Sequence, residues 1–411
     1  MDTALIIALA LGFCLQWVLV RRHVAHIAAH RDAVPPAFAG HIPLEAHQKA
    51  ADYTRAKVRL GLVDFAVSAA LVLLWTLGGM LDTLDRFWRG VETSPLWSGV
   101  AVVISYIVIS ALLELPLSWY RTFRLEQRFG FNRMTLRLFI VDLLKQGVLL
   151  ALIGVPLITL VLWTMLKSEA HWWFLLWLIW LAFSLVMMWA YPAFIAPWFN
   201  KFRPLTDTSL RARIEALLQR NGFASQGIFV MDGSSRSTHG NAYFTGMGAN
   251  KRIVFFDTLI GELSHEEIEA VLAHELGHFK CRHITSRITI MAAVFFAGCA
   301  LLGWLAGQPW FYADLGISAP SAHAALILFM LIAPAFTFFM QPGFSWLSRR
   351  HEFEADDFAA GQSQATHLIH ALVKLYRENA NTLTPDPLYS SFHDSHPPAP
   401  VRIAHLQGNP V

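Results

Sequence analysis

The segment His274-Glu275-Leu276-Gly277-His278 has the most direct chemical meaning in this chain. On a helix, residues i and i+4 share a face, so both imidazoles can reach one Zn²⁺. Glu275 lies beside them and can take a proton from an attacking water. A catalytic zinc needs a third protein ligand and an open fourth position. A histidine six residues after His278 would complete an extended HExxHxxGxxH pattern, but Ile284 stands there and Cys281 occupies the glycine position. His283 is one residue off and rotated away. The third ligand is therefore expected elsewhere. The stretch His351-Glu352-Phe353-Glu354-Ala355-Asp356 offers Glu352 and Asp356 at i and i+4, on one helical face. One carboxylate can bind metal while the other fixes the tautomer of a ligating imidazole. The sequence favours Glu352 as ligand and Asp356 behind an imidazole. Glu354, about 200° around the helix, is the second choice as ligand, and His351 the third.

Elements must hold these groups in place. A helix opens at Ser264, with Glu267 three residues on, which is a capping-box signature. It runs through HELGH towards an apolar stretch. Before it, 208–220 has helical periodicity and 226–232 reads as a strand. Residues 241–257 read as two strands around a Gly-Ala-Asn turn.

The rest of the chain is dominated by lipid chemistry. Of 411 residues, 55% are hydrophobic and 15% charged, and the mean hydropathy is +0.44. Too little charge is present to cover a water-facing surface of this size, which excludes disorder and a coiled coil. A net charge of +3 gives no electrostatic footprint for nucleic acid. Three scattered cysteines exclude a disulfide framework. Seven apolar stretches are long enough to span a bilayer: 4–20, 62–80, 98–118, 139–166, 172–198, 288–306 and 322–344. The loop at 21–61 carries seven Lys and Arg and that at 119–138 carries five, whereas the intervening loops carry three and the loop at 307–321 none. The bias of alternate loops places the N-terminus outside and puts 199–287 and the C-terminus in the cytoplasm. Arg21 and Arg22 follow the first span, which therefore reads as a retained anchor.

HELGH, the Glu-Phe-Glu-Ala-Asp segment at 352–356 and the seven spans together resemble the type I CAAX prenyl proteases, integral-membrane zinc metallopeptidases of the glutamate-ligand (gluzincin) group. Further matches run along nearly the whole chain: Gly130-Phe131-Asn132, Phe199-Asn200-Lys201-Phe202, His239-Gly240-Asn241-Ala242-Tyr243-Phe244, Lys251-Arg252-Ile253-Val254, Asp257-Thr258-Leu259, and Ser395-His396-Pro397 followed by Arg402-Ile403. The resemblance implies a mainly α fold, in which a barrel of seven transmembrane helices encloses a water-filled chamber and a cytoplasmic α+β zinc domain closes it. It implies that the strand at Asn241-Ala242-Tyr243 pairs with an extended peptide substrate. It also implies that Asn241 and His396 stabilise the tetrahedral intermediate. Arg402 matches too and is expected to bind a carboxylate near the site.

The resulting expectation is a membrane-embedded zinc endopeptidase with one Zn²⁺ per chain. His274, His278 and Glu352 hold the metal, Glu275 is the base, and the substrates are peptides or proteins that are lipidated or membrane-bound. Its expected partners are these substrates and membrane lipids, without nucleic acid. Residues 1–198 form a five-span membrane region, 199–287 the segment with the HExxH helix, 288–344 spans six and seven, and 345–411 the segment completing the zinc site. The compact form resembles bacterial members, which implies a bacterial inner membrane. The competing expectation is a seven-span transporter or receptor-like protein whose zinc is structural, closed by a fourth ligand such as His351 or His283.

Overall fold

A computed structural model describes residues 1–91, 93–223, 227–245 and 252–408. The turn at Gly248-Ala249-Asn250, the matched Lys251 and the first strand residue expected at position 226 lie outside these residues. Among the described residues, seven helices are long and apolar enough to cross a membrane: α1 (Asp2–Ala29), α2 (Leu44–Trp75), α3 (Pro95–Glu126), α4 (Leu136–Lys167), α5 (Trp172–Phe199), α8 (His283–Leu305) and α9 (Ala322–Gln362). Between α5 and α8 lie α6 (Thr208–Arg220) and α7 (His265–Lys280), and after α9 come α10 (Ala365–Glu378), α11 (Pro387–His393) and α12 (Ala399–Leu406). Each membrane helix extends beyond one end at least of the apolar stretch that marks it, but α2 stops at Trp75 and α8 at Leu305, short of the ends expected at positions 80 and 306. Three of the membrane helices widen into a π turn, at Arg121–Glu126, Leu150–Gly154 and Tyr191–Ile195. Pro156 and Pro197 follow the last two turns, and a proline ring displaces the carbonyl four residues earlier, which a π turn accommodates.

The membrane helices do not pack as a solid bundle. Only 6% of the most apolar window of α2, and the same share of α5, is buried. A close-packed bundle would bury one face of each helix, so these helices form a thin wall with open space on the inner side. The membrane helices expose Leu112, Leu144, Leu152 and Trp163, apolar side chains that fit lipid rather than water. The tight packing is gathered at one end. Leu5, Trp75, Val102, Leu162, Leu305 and Ala324 belong to one buried cluster and lie at the end of their helix remote from HELGH, where Phe311 of the connection between α8 and α9 joins them. Polar ties close the same end: the Met1 ammonium donates to Asp314 (2.6 Å) and Asp82 accepts from Ser318. The chamber is thus plugged at one end and faces the metallopeptidase elements at the other.

Those elements form a second buried cluster, with Leu210, Ile214, Phe255, Ile268, Leu276 and Leu372 inside. A four-stranded sheet in the order β1-β2-β4-β3 lies against α7, with β1 Phe202–Pro204, β2 Ile228–Met231, β3 Ala242–Thr245 and β4 Arg252–Phe256. β2 and β4 are parallel, and β3 runs antiparallel to β4 with Ala242 opposite Phe255. β3 is therefore an edge strand, with one side of its backbone unpaired by any described strand. The capping box at α7 is complete: Ser264 accepts from the Glu267 N–H, and Glu267 accepts from the Ser264 N–H.

Candidate metal centre and active site

Two helices build the site. α7 presents His274 and His278 one turn apart, and α9 crosses it with Glu352 and Asp356 one turn apart. The helices approach closely at Gly277. A Cβ there would stand 3.0 Å from the Ala355 Cα and 3.1 Å from its carbonyl oxygen. Gly277→Ala is expected to push α9 away and separate Glu352 from both imidazoles. Overpacking of this kind costs about 1–3 kcal/mol. A lower melting temperature together with weaker metal binding would check it; an unchanged metal affinity would show that the contact does not set the site.

Glu352 is buried at the centre of a ring of imidazoles. The Nε2 atoms of His274, His278 and His396 lie 3.4, 3.4 and 3.3 Å from its carboxylate oxygens. One donor atom each from His274, His278 and Glu352 lies within 4.8 Å of the others. Ligands about 2.0 Å from a tetrahedral metal stand about 3.3 Å apart, so the spacing fits a coordinated ion better than hydrogen bonds. Two further observations support this fit. Glu352 Oε2 is buried without a hydrogen-bond partner among the described residues. Burial and the Arg402 charge disfavour a proton on His274, yet Asp356 and Glu352 outweigh them and raise its pKa to about 9. The cage thus attracts positive charge.

His274 Nδ1 faces Asp356 Oδ1 at 2.8 Å, an arrangement that puts the proton on Nδ1 and frees Nε2. Asp356, fully buried, also accepts two hydrogen bonds from Arg402, through Nε (2.8 Å) and Nη2. Arg402 Nη1 lies 3.8 Å from Glu352 Oε2. Glu275 sits half-buried beside the ligands, and burial raises its pKa. It lines a cleft of about 320 Å³ with Asn241, Ala242, His274, His396 and Arg402. Asn241 accepts from the Ala242 N–H at the start of β3. The Tyr243 ring packs instead towards β2 and β4, its hydroxyl against Met231 and its ring edge-on to Phe256.

His283 departs from the sequence expectation. It does not turn away: His278 Nδ1 lies 3.0 Å from His283 Nδ1, and His283 Nε2 lies 3.0 Å from Glu354 Oε2. Five residues on one continuous helix would rotate it by about 140°. α7 instead ends at Lys280, and Arg282 takes a left-handed conformation (φ 59°) before α8 starts at His283. Glu354 and His351, the second and third choices as ligand, stand around His283, the latter stacked on it at 4.1 Å. A second group missed in the sequence is Asn379, whose side chain accepts from the Gly240 N–H (3.0 Å) and donates to the Gly240 carbonyl (3.3 Å). It clamps the segment leading into β3. It lies 139 residues away in sequence, and no local pattern marks it.

Comparison with known proteins agrees with this architecture. Residues 23–201 match the family model of the CAAX prenyl protease N-terminal region with five membrane helices, and residues 204–409 match that of peptidase family M48. The chain is 40% identical to CAAX prenyl protease 1 homolog of Arabidopsis thaliana, covering 84% of this chain and 82% of that protein. It is 34% identical to CAAX prenyl protease 1 of Saccharomyces cerevisiae, covering 91% and 88%. The crystal structure of S. mikatae Ste24p superposes with a TM-score of 0.92 at 31% identity, covering 98% of each chain. The family implies a metal. A seven-helix membrane fold, an M48 match over the zinc-motif half and relatives of this extent leave the transporter or receptor alternative without support: the chain belongs to peptidase family M48 and is a membrane-embedded metallopeptidase.

Proposed function

We propose that the chain is a zinc endopeptidase that cleaves membrane-associated peptides near a prenylated cysteine, as the names of its relatives describe. The observation that carries the reading is the Glu352 carboxylate, orphaned at one oxygen and surrounded by three imidazole Nε2 atoms. His274, His278 and Glu352 would hold one zinc ion, whose Lewis acidity would polarise the scissile carbonyl and acidify water. Glu275 accepts the proton of the attacking water and delivers it to the departing amine. Its raised pKa suits a group that must both take and give a proton. Asn241 and His396, which both line the cleft, donate hydrogen bonds to the developing oxyanion. The segment Asn241-Ala242-Tyr243, where the chain enters the edge strand β3, pairs with the extended substrate through its main chain, which orients the peptide with little demand on its side chains. Asp356 holds His274 in the required tautomer, and Arg402 holds Asp356.

The plugged end carries the N-terminus and the opposite end faces the active site. The basic loops support an orientation with the N-terminus outside and the zinc domain and C-terminus in the cytoplasm. A bacterial inner membrane fits the compact chain, although the relatives named above are eukaryotic. The test uses purified protein in liposomes with a peptide bearing a prenylated cysteine and its unprenylated counterpart. Cleavage should require metal, disappear with a chelator, return with zinc, and be faster for the prenylated peptide. Equal cleavage of both peptides would overturn the substrate class, and full activity without metal would overturn the mechanism.

A further inference from the structure

The two metal-facing histidines are braced differently. Behind His274 stands a carboxylate held by an arginine. Behind His278 stands another imidazole. His278 turns Nε2 towards Glu352, so its Nδ1 must carry the proton if Nε2 is to bind metal. That Nδ1 lies 3.0 Å from His283 Nδ1, and a donor there requires His283 to be the acceptor. The proton of neutral His283 is then on Nε2, which lies 3.0 Å from the Glu354 carboxylate. Glu354 is in turn held by Arg350 (3.1 Å). One tautomer of each ring satisfies every contact in the chain Glu354, His283, His278. His283 is buried and its plane is fixed by His351, stacked at 4.1 Å and 11°.

The geometry points to His283 as a positioning residue that locks the tautomer and ring angle of His278, with Glu354 as the acceptor that polarises it. The inference rests on His278 being a zinc ligand. The Cys281 thiol also lies within 4.8 Å of His283 and Glu354. Both His283 nitrogens are already committed, so the cluster braces the neighbouring site. The arrangement also has a mechanical meaning. His283 is the first residue of α8, and Glu354 and His351 belong to α9. The transmembrane hairpin inserted between the two ligand-bearing segments thereby supports the metal through its own ends.

The test measures zinc affinity by chelator competition, and the visible spectrum of the Co²⁺-substituted protein, on the full-length purified chain. His283→Phe keeps ring volume and stacking but removes both hydrogen bonds. It should lose roughly 10–100-fold in zinc affinity, the usual effect of losing such a partner, and shift the Co²⁺ bands. His283→Gln, whose amide can accept from His278 and donate to Glu354, should recover most of that loss. Wild-type affinity in His283→Phe, or equal losses in both variants, would overturn the inference. Should His283→Phe not fold, Glu354→Ala at a half-exposed position decides: reduced affinity supports the brace and unchanged affinity overturns it. His278→Ala separates the two levels. Retained zinc in that variant would overturn the ligand assignment itself, whereas lost zinc beside an unaffected His283→Phe overturns the brace alone.

Discussion

Glu275→Gln abolishes peptide hydrolysis and leaves the metal bound. Glutamine keeps the volume and one acceptor oxygen of Glu275, so α7 is not disturbed. It cannot take a proton. Glu275 lies next to the metal-facing residues on α7 and lines the cleft, but is not one of the three donor groups that converge. Its removal therefore costs general base and general acid function together. Either role is typically worth 10²–10⁴-fold, so kcat should fall by at least about 10³. KM should change little, because the β3 edge and the cleft walls that hold the peptide are unchanged. Single-turnover cleavage of a membrane-bound peptide, with metal content measured on the same sample, checks both halves. Activity within tenfold of wild type would remove Glu275 from the mechanism. Loss of metal would mean that its carboxylate helps to hold the ion.

Much of this arrangement is legible in the sequence because local rules dominate it. Seven spans follow from hydropathy, since lipid forces each crossing segment to be helical and apolar. The start of α7 follows from Ser264 and Glu267, whose side chains close the capping box three residues apart. His274 with His278, and Glu352 with Asp356, are i,i+4 pairs, so each shares a face before any tertiary contact is known. Which pair meets which is a different matter. Asp356 faces His274 and not His278 because α9 crosses α7 at Gly277, and no local signal encodes a crossing point. The position of His283 is hidden in the sequence for a related reason. Helical periodicity across 274–283 looks continuous, while the chain breaks at Cys281 and Arg282 without a glycine or proline to mark it. Arg282 adopts a left-handed conformation that such residues rarely take, and α8 begins at the next residue, His283. The chamber wall was legible only through family resemblance, because composition says that a helix meets lipid but not whether its other face meets protein or open space.

Arg402→Met should destabilise the metal-free protein far more than the metal-bound one. Arg402 is buried on α12 and donates two hydrogen bonds to the fully buried Asp356, with Glu352 a further 3.8 Å contact. Methionine matches much of its length and apolar stem but carries no charge. Its substitution strands two buried carboxylates, and leaving a buried charge without its partner typically costs about 3–5 kcal/mol. A bound divalent cation changes the balance. Glu275, Glu352 and Asp356 bring three negative charges to the site, and Arg402 with one divalent ion brings three positive. Removing either the arginine or the ion leaves the carboxylates partly compensated, whereas removing both leaves them alone except for protons. The losses should therefore be more than additive, which is what coupling through shared partners means. Melting of wild type and Arg402→Met, each with and without zinc, forms the required cycle. Arg402→Lys should fall between them, since an ammonium restores charge but cannot present the paired donors that meet both Asp356 oxygens. Additive losses in the cycle would show that Arg402 stabilises Asp356 independently of the metal, and the charge balance of the site would then rest on its protons.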